Sequence, residues 1–298
     1  MCVFNQSIPL SIEESINRKY AVCNNASFDI IKQCSFSYYN DLKSQCFKCI
    51  VFDYDLTIHN KYYNLEIEKE IFETINSLLE NGIKIGIATG NGQYIANEIK
   101  QYIIPKYWGE IIIGYYNGGL LLPLNIETRF ESLNYKIPID FKKIIKFIEL
   151  NIPKDELCIE GIEERNPFQL NFYSKKSTSS YVDILKHFIR KQTNLKIMQS
   201  PHSFDVIPRW VSKSNVCNYF RNMGINECEI LTMGDSGAYG ENDFELLNRK
   251  FSLSVNTVSN SLDYCWNYSP PNLRELAATL NYLKRIDLAQ KGIFLFKI

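Results

Sequence analysis

Cys49-Ile50-Val51-Phe52-Asp53-Tyr54-Asp55-Leu56-Thr57 is the stretch on which the reading of this chain turns. Residues 49–52 form a short apolar run, as expected of a strand buried in a parallel sheet, and the run ends on two aspartates two positions apart. Downstream, Ile67, Ile71, Ile75, Leu78 and Leu79 recur at helical spacing, and Gly82 supplies a stop. Ile83 to Thr89 then reads as a second strand, Tyr94 to Tyr102 as a helix and Ile111 to Tyr116 as a third strand. This alternation predicts an α/β fold with a doubly wound, Rossmann-like parallel sheet.

On either side of that unit the pattern changes. Residues 1–48, rich in Ser, Asn, Gln and Cys, have no clear period beyond a helix near Ile12 to Tyr20, and read as an N-terminal extension. From about 139 to 207, helix–strand–strand occurs twice. The helices are marked by Phe141, Ile144, Ile145 and Ile148 and by Tyr181, Ile184, Leu185, Phe188 and Ile189. The strands fall near 156–160, 168–173, 195–198 and 204–207. Paired strands with short links predict an antiparallel sheet backed by two helices. After Arg209 the parallel pattern returns, with a helix over 215–223, strands over 229–233 and 251–255, and a last helix over 273–283. The expected division is an extension at 1–48, a catalytic core at 49–121 and 209–298, and an inserted α+β cap at 122–208.

Composition narrows the function classes. The 298 residues carry 33 Lys+Arg against 33 Asp+Glu, a balance that speaks against nucleic acid as a partner. At 45% hydrophobic and 22% charged, the chain has the make-up of a packed globular protein. The most apolar stretch, Ile111 to Leu124, is interrupted by Asn117-Gly118-Gly119 and is shorter than the roughly 20 residues a membrane span needs. Glu13, Glu14, Arg18 and Lys19 break up the first 20 residues, so no secretory signal is visible and no membrane role is expected. Nine cysteines, an odd number scattered partly inside apolar runs, favour a reducing, cytoplasmic setting.

Asp53 and Asp55 fall beyond the carboxyl end of a strand, where open α/β sheets bind ligands. Two carboxylates so spaced can divide their work: one binds a hard cation and attacks phosphorus, the other passes a proton to the leaving group. An Asp-rich surface turn is the other reading of the hexapeptide alone. Thr89-Gly90 ends the second strand with a hydroxyl suited to a phosphate oxygen, and Lys213 opens a helix after the insert. Gly234-Asp235 and Asn242-Asp243 add hard oxygen donors of the kind Mg²⁺ prefers. Taken singly, Thr89 and Lys213 read as structural residues; the order of all four elements is what carries the functional reading.

Those four elements resemble the motifs of the haloacid dehalogenase superfamily of phosphohydrolases, over about 49–285. Tyr116-Asn117-Gly118-Gly119, and Phe204-Asp-Val-Ile-Pro208 followed by Ser212-Lys213, are similar to the entry and exit of a C2-type cap in the Cof-like sugar-phosphatase branch. The resemblance implies a phosphatase acting on a small phosphorylated metabolite. Asp53 would be the nucleophile and a Mg²⁺ ligand, and Asp55 the general acid/base, lending its backbone carbonyl to the metal. Thr89 and Lys213 would hold the phosphoryl group and Asp235 would bind Mg²⁺, with Gly90, Asn117, Gly234, Asn242 and Asp243 in support. A phosphomutase with the same motifs, and a non-catalytic binding protein that keeps the fold, are the alternatives.

The chain departs from that pattern in places. Six residues separate Asp235 from Asn242 where many Cof-like members have two, so Glu241 competes with Asp243 for the metal shell. Asn91 stands where many carry Arg, and Leu56 replaces a frequent Gly. Cys46-Phe-Lys-Cys49 lacks the second ligand pair of a zinc site and reads as packing. His59 is close enough to the nucleophile loop to touch a substrate. Glu163, Arg165, Asn171 and Tyr173 in the insert are candidates to read the leaving group. The tail Ile293 to Ile298 reads as an added strand or packing segment.

Overall fold

The computed structural model describes residues 11–60, 65–129, 132, 136, 138–153, 157–158, 166–174, 180–191, 194–199 and 204–297. Strands β1 to β4 are Cys49–Asp53, Lys84–Ala88, Ile111–Gly114 and Leu120–Pro123. Strands β5 to β8 are Leu157–Cys158, Leu170–Ser174, Leu195–Gln199 and Phe204–Pro208. Strands β9 to β12 are Ile230–Ser236, Ser252–Thr257, Ile286–Gln290 and Ile293–Phe296.

The main sheet has the order β10-β9-β1-β2-β3-β4. Every pair in it is parallel except β3–β4. β1 is buried along its whole length, which is why its sequence is a continuous apolar run rather than an alternating one. Helix Leu65–Glu80 covers the sheet with Ile71, Phe72, Ile75, Leu78 and Leu79 and ends before Gly82, whose φ of 82° lets the chain turn back into β2. Register then gathers the functional strand ends. Asp53 pairs with Ala88, one residue before Thr89, and Phe52 pairs with Met233, one before Gly234.

The second sheet, β5-β6-β8-β7, is antiparallel. Leu170, Phe172, Leu195 and Val206 join Phe141, Ile144 and Ile148 of helix Ile139–Asn151 and Leu185 and Ile189 of helix Ser180–Arg190 in a core of their own. The fold is thus a parallel-dominated α/β sheet with an inserted α+β unit.

Residues 11–48 hold two helices, Ile12–Val22 and Phe28–Ser44, the second absent from the sequence expectation. Ser11 and Ser27 cap them, accepting from the N–H groups of Glu14 and Ile30. Ile16, Ile31, Tyr38 and Leu42 enter the main core. Tyr38 seals the free edge of β10: its hydroxyl donates to Ser252 O at 2.8 Å and accepts from Ser252 N–H at 2.7 Å. Lys19, fully buried, donates to the carbonyls of Ser259, Ser261 and Tyr264 at 2.8, 2.5 and 2.9 Å. The tail forms a β11–β12 hairpin, with Phe294 bridged to Phe47. No helix among the described residues is long and apolar enough to cross a membrane.

Candidate active site

Asp53 closes β1 and is buried. Its Oδ1 accepts from Lys213 Nζ at 2.5 Å and its Oδ2 from Thr57 Oγ1 at 3.2 Å. Lys213 is buried too and donates a second bond to Asp243 Oδ1 at 2.6 Å. Asp243 Oδ2 accepts from the backbone N–H groups of Asp235 and Ser236 at 3.0 and 3.3 Å, so both of its oxygens are engaged. Gly234 makes this approach possible, since a Cβ there would lie 2.7 Å from Asp243 Oδ2.

Asp53, Asp235 and Asp243 each offer a carboxylate oxygen, and these oxygens lie within 4.8 Å of one another. Burial lowers the Lys213 pKa, but the carboxylates of Asp243 and Asp53 outweigh it and hold Lys213 charged, above the ordinary lysine range. One ammonium among three carboxylates leaves negative charge in surplus. Burial and the Asp243 carboxylate accordingly push the Asp235 carboxyl up to about 8. An all-oxygen donor set with surplus negative charge fits a hard divalent cation.

Thr89 lies beside Asp53 on the neighbouring strand end, buried, and its Oγ1 accepts from Asn91 N–H at 2.9 Å. Asp55, two residues beyond Asp53, is exposed, its Oδ2 accepting from Asn91 Nδ2 at 2.8 Å. Between β3 and β4 the chain makes a left-handed turn, with φ of 52°, 57° and 80° at Tyr116, Asn117 and Gly118. A Cβ on Gly118 would meet Ser212 O at 2.1 Å, so glycine alone lets this turn touch the segment carrying Lys213.

Asn117 N–H donates to Thr89 O at 2.7 Å, and its Nδ2 donates to Gln169 Oε1 at 2.9 Å and Asp205 Oδ2 at 3.1 Å. Gln169 Nε2 donates to Gly90 O at 2.8 Å. Lys196 on β7 also ties the second sheet down, bonding both Glu245 carboxylate oxygens at 2.6 and 2.7 Å. Because Leu170, Phe172 and Val206 point into the core of the second sheet, the alternate residues Asn171 and Asp205, paired in register, face the other way. Burial pushes the Asp205 carboxyl up to about 6 against the pull of its Asn117 hydrogen bond. Asn171 Oδ1 and Asn117 Oδ1 are buried acceptors without a hydrogen-bond partner among the described residues.

Of the residues expected from sequence, Asp53, Lys213, Asp235 and Asp243 converge, with Thr89, Gly90 and Asp55 at the same strand ends. Glu241 turns into its own loop, accepting from Ala238 N–H at 2.9 Å and Thr257 Oγ1 at 2.7 Å, and leaves the cluster to Asp243. Asn242 Oδ1 is buried without a partner among the described residues. His59 stacks on Tyr54 and bonds Glu68 Oε1 at 2.9 Å, and Cys49 is buried in β1 as an unpaired thiol. Glu163, Arg165 and the side chain of Tyr173 lie outside the described residues. Thr57 and Asp205 stood in the sequence reading only inside quoted stretches, and Gln169 was not picked out. Thr57 is the threonine of the Asp-x-Asp-x-Thr run and Asp205 lies in the Phe204–Pro208 stretch, while the polar alternation around Leu170 is the trace of Gln169.

A parallel-dominated sheet with an antiparallel unit inserted after β4 is a fold seen among solved HAD/Cof-like hydrolases. Three solved structures share it. A HAD/Cof-like hydrolase from Plasmodium vivax aligns at TM-score 0.61 and 18% identity, over 83% of this chain and 97% of that one. The C-terminal domain of a C. albicans trehalose-6-phosphate phosphatase aligns at TM-score 0.55 and 14% identity, over 83% and 95%. The sucrose-phosphatase of a Synechocystis species, in complex with sucrose and phosphate, aligns at 0.52 and 16%, over 70% and 82%. No protein-family model and no curated protein matches the sequence.

Proposed function

We propose that this chain is a Mg²⁺-dependent phosphatase that hydrolyses a small phosphorylated metabolite, a sugar phosphate, through a phosphoryl group carried transiently on Asp53. The observation that carries the reading is Lys213 bridging Asp53 and Asp243 at buried strand ends beside Asp235. The core is assigned to 49–121 and 209–298, preceded by the 1–48 extension. The insert at 122–208 is assigned as a C2-type cap. The unpaired thiols among the described residues suit a reducing cytoplasm.

A carboxylate oxygen of Asp53 attacks phosphorus while the bond to the leaving oxygen breaks. The electron pair stays on the leaving oxygen, which takes a proton from the Asp55 carboxyl. Asp55, now a carboxylate, removes a proton from water, and the water oxygen displaces phosphate from Asp53. Lys213 and the Thr89 hydroxyl hold the phosphoryl oxygens. Asp53, Asp235 and the Asp55 carbonyl would hold Mg²⁺, with Gly90, Asn117, Gly234, Asn242 and Asp243 supporting. Bound there, the metal supplies charge neutralisation for the transferring group. Asn171 Oδ1 and Asn117 Oδ1, buried acceptors without a partner among the described residues, support a hydroxyl-bearing leaving group.

The test is phosphate release from sugar phosphates, nucleotides and an aryl phosphate, with and without Mg²⁺, beside Asp53→Asn. Metal-dependent release that the substitution abolishes is expected. Silence across the panel would refute the reading, and transfer between positions of one hexose phosphate on adding a bisphosphate would favour the mutase.

A further inference from the structure

We propose that Asn91 positions Asp55 for proton transfer, so that its loss is felt in proportion to the leaving group's need for a proton. The inference rests on the phosphatase reading. Asn91 Nδ2 donates to Asp55 Oδ2 at 2.8 Å. The unprotonated oxygen of a carboxyl group only accepts, so an amide that faces it presents its nitrogen. The backbone beneath each side chain is fixed. Asn91 N–H donates to Thr89 Oγ1 at 2.9 Å and its carbonyl accepts from Tyr116 N–H at 2.9 Å. On the other side, Leu56 N–H donates to His59 O at 2.8 Å and closes the turn that carries Asp55. With both anchors set, the amide occupies Oδ2 and leaves Oδ1 as the oxygen that carries the proton.

The chemistry separates this role from a structural one. When Asp53 attacks phosphorus and the bond to the leaving oxygen breaks, an alkoxide needs the Asp55 proton as it departs. A nitrophenolate leaves as the anion and needs none. Misplacing Asp55 therefore slows transfer from alkyl and sugar phosphates and spares transfer from nitrophenyl phosphate.

The experiment measures kcat/KM of the full-length protein with Mg²⁺ on esters running from nitrophenyl to alkyl and sugar phosphates. It compares wild type, Asn91→Ala and the isosteric Asn91→Asp, which also lacks the donor. This constant covers events only up to phosphoryl transfer to Asp53. For both variants we expect nitrophenyl phosphate to stay within about twofold of wild type and alkyl esters to fall roughly 10- to 100-fold, the lower part of the general-acid range. Equal loss on every ester, or no loss on any, overturns the positioning role while leaving the phosphatase reading intact. A wild-type protein that releases phosphate from no ester overturns the phosphatase reading and this inference with it.

Discussion

Lys213 Nζ sits 2.5 Å from Asp53 Oδ1, although 160 positions separate the two residues. The chain brings them together by leaving the core after β3 and β4, building the second sheet, and re-entering at the segment that touches Gly118. Asp243 completes the arrangement from the other side, so the ammonium is shared between two buried carboxylates.

Removing that ammonium should therefore be costly. Breaking a buried ion pair by deleting one partner typically costs about 3–5 kcal/mol, because the remaining charge is left uncompensated. Lys213→Met is expected to lose stability of that order in urea unfolding, and the loss should shrink in Asp53→Asn/Lys213→Met. A Lys213→Met protein as stable as wild type would show that the cluster is not held by this cation.

The surplus of carboxylates predicts metal-linked stability without reference to turnover. Mg²⁺ at about 100 times its dissociation constant should stabilise the folded state by roughly 2.7 kcal/mol, read as a rise in thermal midpoint. Asp235→Ala should abolish most of the rise, while Glu241→Ala, whose carboxylate is not part of the cluster, should leave it unchanged. An equal rise in both variants would place the ion elsewhere.

Leu56 follows Asp55 with φ of 58°, a left-handed conformation disfavoured by about 1–2 kcal/mol for a residue with a Cβ. Leu56→Gly is expected to keep stability within about 1 kcal/mol, lost packing offsetting relieved strain. The β-branched Leu56→Val, poorer still in that region, should lose about 1–2 kcal/mol. Calorimetry of the two variants checks the ordering.

His59 gives a pH signature. Its hydrogen bond to Glu68 raises its pKa above the ordinary histidine value, against a smaller effect of burial. A folded-state pKa above that of the unfolded chain means the pair stabilises fully below about pH 6.5. That contribution fades as pH rises through the folded-state value. The thermal midpoint of wild type should exceed that of His59→Asn most at pH 5.5 and the gap should narrow by pH 8.5. A gap that widens with pH would contradict the pairing.

The strand ends were legible because burial on both faces makes a parallel strand an unbroken apolar run, and the run stops at Asp53, Thr89 and Asp235. Lys213 carries no such signal and was placed by its resemblance to a motif. The helix Phe28–Ser44 escaped because two of its four buried positions are Ser35 and Tyr38. Tyr38 is buried with its hydroxyl bonded to both backbone groups of Ser252, 214 positions away. Asp205 entered the sequence reading only as part of the Phe204–Pro208 stretch and Gln169 not at all, since nothing in their own segments indicates which side chain meets Asn117. Strand β4 was hidden in an apolar stretch whose Asn117-Gly118-Gly119 break is the turn that reverses the chain.

The central claim is that Asp53 carries the phosphoryl group. Acid quenching during turnover, followed by borohydride reduction and peptide mass spectrometry, converts an aspartyl-phosphate into homoserine at the residue that held it. Homoserine at position 53, absent without substrate, is the predicted result. Sustained phosphate release with position 53 unmodified, or homoserine at another aspartate, would contradict it.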